Sequence, residues 1–243
     1  MRYKLTLSYD GSCFMGFQIQ NDERTVELEI KNALKVMTSK DIKIYPSGRT
    51  DRYVHALGQV IHFDLEEDIP PSRFKRAINN ILPNDIHVNL VEIVDESFHA
   101  RFSAKSKEYR YYIDLGEANP FDSRYVSYIN NLDIAKMDEA IKLFIGTHDF
   151  KGFASAQIDE RKDTVKTVFE AKINRLSDKK LEFIFIGTGF LKYQIRRMMG
   201  ALVEVGRGKK DSSFISLVLE KKDPKISHKV LDGHGLYLYK VNY

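Results

Sequence analysis

Tryptophan is absent from this chain of 243 residues, and cysteine occurs once, at Cys13. A lone cysteine excludes an internal disulfide, and seven scattered histidines give no close ligand spacing for zinc. The sequence also has no Gly-rich strand-to-helix phosphate loop, so the expectation is an activity that needs neither metal nor cofactor. No apolar run approaches membrane-spanning length. Met1 to Leu5 pass directly into a strand pattern, without the apolar block of a secretory signal. The chain therefore reads as cytoplasmic, with no membrane partner.

Hydrophobic residues make up 43%, enough for the core of one large or two small domains. Charge is modestly basic, +4 overall, and unevenly placed. Residues 1–103 carry 13 Lys+Arg against 15 Asp+Glu, whereas residues 104–243 carry 25 against 19. A surplus of this size is common on soluble proteins, so a nucleic-acid partner has to be argued from clustering.

Hydrophobic periodicity gives one order of elements twice. Tyr3, Leu5, Leu7 and Tyr9 alternate as a half-buried strand, and Val26, Ile30, Ala33, Leu34 and Met37 recur as one helix face with Thr25 as N-cap. Strand patterns follow at Ile42 to Tyr45 and Gly58 to Leu65. Pro70-Pro71-Ser72 then opens a helix carrying Phe74, Ile78 and Leu82, and Ile86, Val88 and Leu90 resume alternation. From Lys105 the order returns: a strand with Tyr109, Tyr111 and Ile113, a helix from Asp133 to Ile145, a strand pair at Thr164 to Leu176 and Leu181 to Ile186, and a helix from Phe190 to Val205. Ser213 to Glu220 reads as an added helix before the strand Leu236 to Val241. The expected fold is α+β: two tandem ferredoxin-like β-α-β-β-α-β units with antiparallel sheets, at 1–103 and 104–243, and a basic cleft between them.

One short stretch stands out for chemistry. Gly48-Arg49-Thr50-Asp51-Arg52-Tyr53-Val54-His55-Ala56 places a carboxylate close to two arginines, between strand patterns. Arginines beside a carboxylate keep it ionised and offer a fork for phosphate. The plainer reading of Asp51 is a turn residue whose carboxylate accepts backbone N–H bonds. In the second half, Lys192 and Arg196 are four residues apart and share a helix face beside the apolar stripe, as substrate contacts or as solvated charges. Lys105 to Tyr112 interleaves basic and aromatic residues on a strand, either as packing or as a stacking surface for unpaired bases.

These residues resemble the tRNA pseudouridine synthase A family along nearly the whole chain. The pieces are Tyr9-Asp10-Gly11 with Gly16-Phe17-Gln18, Gly48-Arg49-Thr50-Asp51 with Val54-His55-Ala56, and Phe98-His99-Ala100-Arg101-Phe102-Ser103. Tyr109-Arg110-Tyr111, Gly146-Thr147-His148-Asp149-Phe150, Gly189-Phe190-Leu191 with Arg196 and Gly200, and Gly235-Leu236-Tyr237-Leu238 follow in order. The resemblance implies cofactor-free isomerisation of uridine to pseudouridine in the anticodon stem-loop of tRNA, by a homodimer. It matches Asp51 to the nucleophile, Arg196 to an arginine that pairs with it, and Tyr109 to a tyrosine that packs on the target base. Arg49 matches an arginine that helps take the nucleotide out of the stack.

Arg52, Tyr53, His55, Arg101 and Lys192 are the further candidate substrate contacts. His55 has a second reading as a core histidine bonded to backbone. Asp10 and Asp149 are explained by turn formation. The family's usual small pair after the aspartate, commonly Ala-Gly, is replaced here by Arg52-Tyr53, at a place where a glycine would permit a positive φ. That replacement motivates an alternative: a catalytically inactive or re-targeted relative that binds structured RNA.

Overall fold

The computed structural model describes residues 1–20, 22–159, 161, 163–226 and 229–243. By its internal contacts the chain divides into two compact units, Met1–Lys105 with Tyr237–Tyr243, and Ser106–Leu236.

The first unit opens with β1 (Arg2–Tyr9), in which Tyr3, Leu5, Leu7 and Tyr9 are buried and the intervening residues are half-buried, as the alternation requires. In α1 (Val26–Thr38), the Thr25 hydroxyl accepts the Leu28 N–H, and Val26, Ile30, Ala33 and Leu34 form the buried face. Strands β2 (Tyr45–Pro46) and β3 (His55–Asp64), helix α2 (Pro71–Asn79) and strand β4 (Ile86–Val94) complete the order β-α-β-β-α-β. Pro71 sits in the first turn of α2, where its missing N–H costs nothing. The sheet runs β4-β1-β3, with β2 on β3, all antiparallel. Residues Tyr237 and Leu238 of the last strand of the chain pair parallel with His55 and Ala56 of β3.

Two details differ from the expectation in this unit. Ile42 and Ile44 are buried, yet only Tyr45 and Pro46 pair as strand. In β4 the register against β1 slips between Val88 and Leu90, so the alternation inverts: Leu90 is 49% exposed and Val91 is buried.

The second unit holds β5 (Ser106–Asp114), β6 (Ser127–Tyr128), α3 (Ile134–Ile141), β7 (Gly146–Asp149), β8 (Val165–Arg175), β9 (Lys180–Gly187), α4 (Gln194–Gly206) and α5 (Ser213–Lys221). Its sheet runs β5-β9-β8-β7 antiparallel, with β6 parallel on β5. Tyr111 and Ile113 of β5 lie fully buried opposite Phe183 and Leu181 of β9. Helix α4 buries Ile195, Met198, Met199, Leu202, Val203 and Val205, more than a single stripe. It is therefore central to the unit.

The long helix expected from Phe190 begins only at Gln194. Tyr193 stands at φ 67°, outside the helical region, and the Gln194 side-chain oxygen accepts the Leu191 N–H at 2.9 Å, so residues 190–193 form a bonded turn. Lys192 consequently does not share a helix face with Arg196, as its spacing had suggested.

One buried group ties stability to pH. His62 of β3 is 1% exposed, its Nδ1 accepts the Ala100 N–H at 3.1 Å, and its ring stacks on Tyr45 at 4.9 Å. Burial, then the neighbouring His99 and Arg2, lower its pKa to about 4. The unfolded chain, with an ordinary histidine near pH 6.5, binds the proton first, so this contribution is complete above about pH 6.5 and lost as pH falls toward 4. Its size is on the order of 3 kcal/mol. Unfolding titrations of wild type and His62→Asn, which keeps an acceptor for Ala100, should show the steeper loss between pH 6.5 and 4 only in wild type; equal slopes would refute it.

Candidate active site

Asp51 lies half-buried on the irregular segment between β2 and β3, and a polar network holds that segment from beneath. The fully buried amide of Gln59 accepts from the Ser47 hydroxyl at 2.8 Å and the Val60 N–H at 3.1 Å, and donates to the Gly48 carbonyl at 3.0 Å. Beside it, the Tyr9 and Thr50 hydroxyls share a hydrogen bond of 2.8 Å. Burial pushes the Tyr9 phenol up to about 12, which keeps it a neutral hydrogen-bonding group.

Residues 14–17 hold the same segment from its other side. Phe17 N–H donates to the Thr50 carbonyl at 3.1 Å and Tyr53 N–H to the Phe14 carbonyl at 3.3 Å. Gly16, at φ 97°, lies so close that a Cβ there would stand 3.0 Å from the Thr50 oxygen. The backbone on either side of Asp51 is thus fixed at several points, which is what a positioned carboxylate requires.

Arg49 and Arg52 are both exposed. The Arg52 guanidinium lies over the Tyr53 ring, 4.4 Å from its centroid, and donates to the Tyr53 hydroxyl. Tyr53 itself has φ 65°. A left-handed conformation costs a residue with a Cβ roughly 1–2 kcal/mol, so the loop keeps a glycine-like backbone despite the bulk placed there.

His55 is buried at 2% exposure, its Nδ1 accepting the Gly11 N–H at 3.0 Å and its ring stacked 4.6 Å from Tyr237. Asp10 accepts the Ser12 N–H at 2.9 Å, and Asp149 the Lys151 N–H at 3.1 Å, each capping a short turn. Arg101 is exposed in the turn after β4, with its guanidinium 5.6 Å from the ring of Phe102, and His99 Nδ1 braces that turn by accepting the Arg101 N–H at 3.1 Å.

In the second unit, Tyr109 of β5 is 9% exposed and meets Phe190 edge-to-face at 5.3 Å. On the other face of β5, Arg110 is committed to Glu108 at 2.7 Å and Glu182 at 2.8 Å, and the Tyr112 hydroxyl also donates to Glu182. Arg196 occupies the first turn of α4. Its Nε donates to the Leu231 carbonyl at 2.6 Å, and its guanidinium lies 5.2 Å from the Tyr193 ring centroid. Lys192 is exposed, with Nζ 5.1 Å from that same ring.

Sequence reasoning overlooked the Ser47–Gln59 pair. A signal existed for Gln59, a long polar side chain inside an otherwise apolar strand run. Among the described residues, no group of three or more His, Cys, Asp or Glu could hold a metal ion, and no helix is long and apolar enough to cross a membrane.

A family profile described as tRNA pseudouridine synthase matches residues 6–103 and 140–243. A protein named tRNA pseudouridine synthase A from Anoxybacillus flavithermus is 43% identical over 100% of this chain and 98% of its own length. Proteins of the same name from an Exiguobacterium and a Geobacillus strain are 44% and 46% identical, again over 100% of this chain and 98% of theirs. Among solved structures, a chain of a Cbf5-Nop10-Gar1 complex aligns at 10% identity and a TM-score of 0.37, over 82% of this chain and 53% of that one, too slight a likeness to carry an argument. The family profile and the full-length relatives agree: the chain belongs to the tRNA pseudouridine synthase family.

Proposed function

We propose that the protein isomerises uridine to pseudouridine in the anticodon stem-loop of tRNA, with Asp51 as covalent nucleophile. The observation that carries the residue assignment is the clamped loop, which presents a half-buried carboxylate between Arg49 and Arg52 in a member of this family. In the net reaction the N1–C1′ bond breaks, a C5–C1′ bond forms, and a proton leaves C5 while N1 gains one. The atoms balance without any cofactor. Attack by the carboxylate at C1′ or at C6 alike demands that it be ionised and positioned.

The target base must leave its stack first, at a cost of a few kcal/mol that phosphate contacts and aromatic stacking offset. We assign Arg49 to extrusion, Tyr109 to packing on the target base, and Arg196 to pairing with the nucleophile. Arg52, Tyr53, Arg101 and Lys192 are assigned to RNA contacts, while His55, bonded to backbone and stacked on Tyr237, acts through the loop it supports. The β-α-β-β-α-β order of the first unit, and the order β5, α3, β8, β9, α4 in the second with β6 and β7 inserted, support reading both units as ferredoxin-like. The working form in this proposal is a cytoplasmic homodimer in which one tRNA contacts both subunits.

Asp51→Ala should abolish pseudouridine formation in tRNA while leaving the circular dichroism spectrum and unfolding midpoint close to wild type; activity persisting in that variant would overturn the assignment. Replacing Arg52-Tyr53 by Ala-Gly should relieve the left-handed backbone, raise stability by about 1 kcal/mol, and weaken tRNA binding. If the wild type instead binds tRNA without isomerising it and the Ala-Gly variant is active, the bulky pair has silenced the site, and the alternative of an inactive relative stands. Light scattering at working concentration should report a dimer, and a monomer there would count against the assembly.

A further inference from the structure

Tyr193 is a residue that its backbone position does not favour. At φ 67° and ψ −1° it occupies the left-handed region, where glycine or asparagine sits without strain. It is also the N-cap of α4, yet its side chain makes no capping hydrogen bond. Ser, Thr, Asp and Asn are favoured at such a place for a capping hydrogen bond that the phenol does not make. Neither local conformation nor helix termination accounts for the ring.

Core packing does not account for it either. Tyr193 is half-buried, between Leu191, Gln194 and Ile195, which are buried. Two cations flank its ring, Lys192 Nζ at 5.1 Å and the Arg196 guanidinium at 5.2 Å from the centroid. The segment carrying it is rigid: the Lys192 carbonyl accepts the Ser155 N–H at 3.0 Å, the Leu191 N–H donates to Gln194, and Arg196 is tied to Leu231. A pinned aromatic ring flanked by cations, one turn before the arginine assigned to the reaction, matches what holds an unpaired nucleotide: a π surface for the base and positive charge for its phosphates.

We propose that Tyr193 is a substrate-specificity residue that stacks on an unpaired nucleobase beside the target uridine, while Lys192 moves from its ring to a neighbouring phosphate. The proposal rests on the RNA-modifying reading above and deepens it. The backbone strain is maintained because the ring contributes to RNA recognition, so removing the ring separates stability from binding.

Tyr193→Gly and Tyr193→Phe are compared with wild type by steady-state kinetics on tRNA, by filter binding of tRNA, and by thermal unfolding. Tyr193→Gly should raise both KM and Kd about tenfold, or about 1.4 kcal/mol, with kcat held within about threefold and the unfolding midpoint unchanged or higher. Tyr193→Phe should behave as wild type, because the ring and not the hydroxyl makes the contact. Unchanged KM and Kd in the glycine variant overturn the proposal, as does a fall in kcat alone, which would make the ring a support for Arg196. A lowered midpoint with unchanged binding overturns it too, since the ring is then packing. Filter binding does not depend on turnover, so a wild type that fails to isomerise uridine would defeat the activity reading and leave this comparison intact.

Discussion

The amide of Gln59 is the constraint on which the candidate site depends. It sits fully buried in β3 and uses both ends, accepting from Ser47 and the Val60 N–H and donating to the Gly48 carbonyl. An apolar side chain there would leave buried polar partners without hydrogen bonds, at roughly 1–3 kcal/mol for each. Because Ser47 and Gly48 lie on the segment that leads into Asp51, the penalty for breaking the network falls on the geometry of the carboxylate. The Tyr9–Thr50 hydroxyl pair adds a second anchor from β1.

Holding a loop this firmly permits strain elsewhere in it. Tyr53 keeps a left-handed backbone two residues beyond Asp51, and Tyr193 does the same three residues before Arg196. Such conformations persist where surrounding bonds over-determine the chain. At Tyr53 the determinants are the bonds to Phe14 and across Asp51, and at Tyr193 they are the bonds of Lys192 to Ser155 and of Leu191 to Gln194. Each ring is accompanied by a cation from its own neighbourhood. The two units thus use one local solution beside each of two candidate catalytic side chains.

Where local rules and burial agreed, the elements were readable in advance. The alternation of Tyr3 to Tyr9, the Thr25 cap, and the Pro70-Pro71 entry to α2 are set within a few residues, and the structure contains each. Leu90 shows the limit. Its apolar spacing continues that of Ile86 and Val88, but one extra residue in β4 relative to β1 turns it outward, and a bulge is decided by the partner strand. The helix expected from Phe190 failed for a related reason: Leu191 fits a helical stripe, yet Tyr193 at positive φ and the Gln194 side-chain bond end the regularity before Gln194.

For the site, the amino-acid order alone singled out Asp51 with its arginines, Tyr109 and Arg196 as candidates, because residue type and spacing are what a family shares. It also singled out position 53 as one where the family's glycine would permit a positive φ. Tertiary structure decided which of the flanking groups are committed elsewhere: Arg110 to Glu108 and Glu182, and His55 to Gly11. It also revealed that Gln59, just beyond the Val54-His55-Ala56 motif and no part of it, holds the loop. Hydrophobic periodicity reports which side of an element is buried, but hydrogen bonds between residues far apart in the chain depend on where the backbone brings their ends together, and no local pattern encodes that.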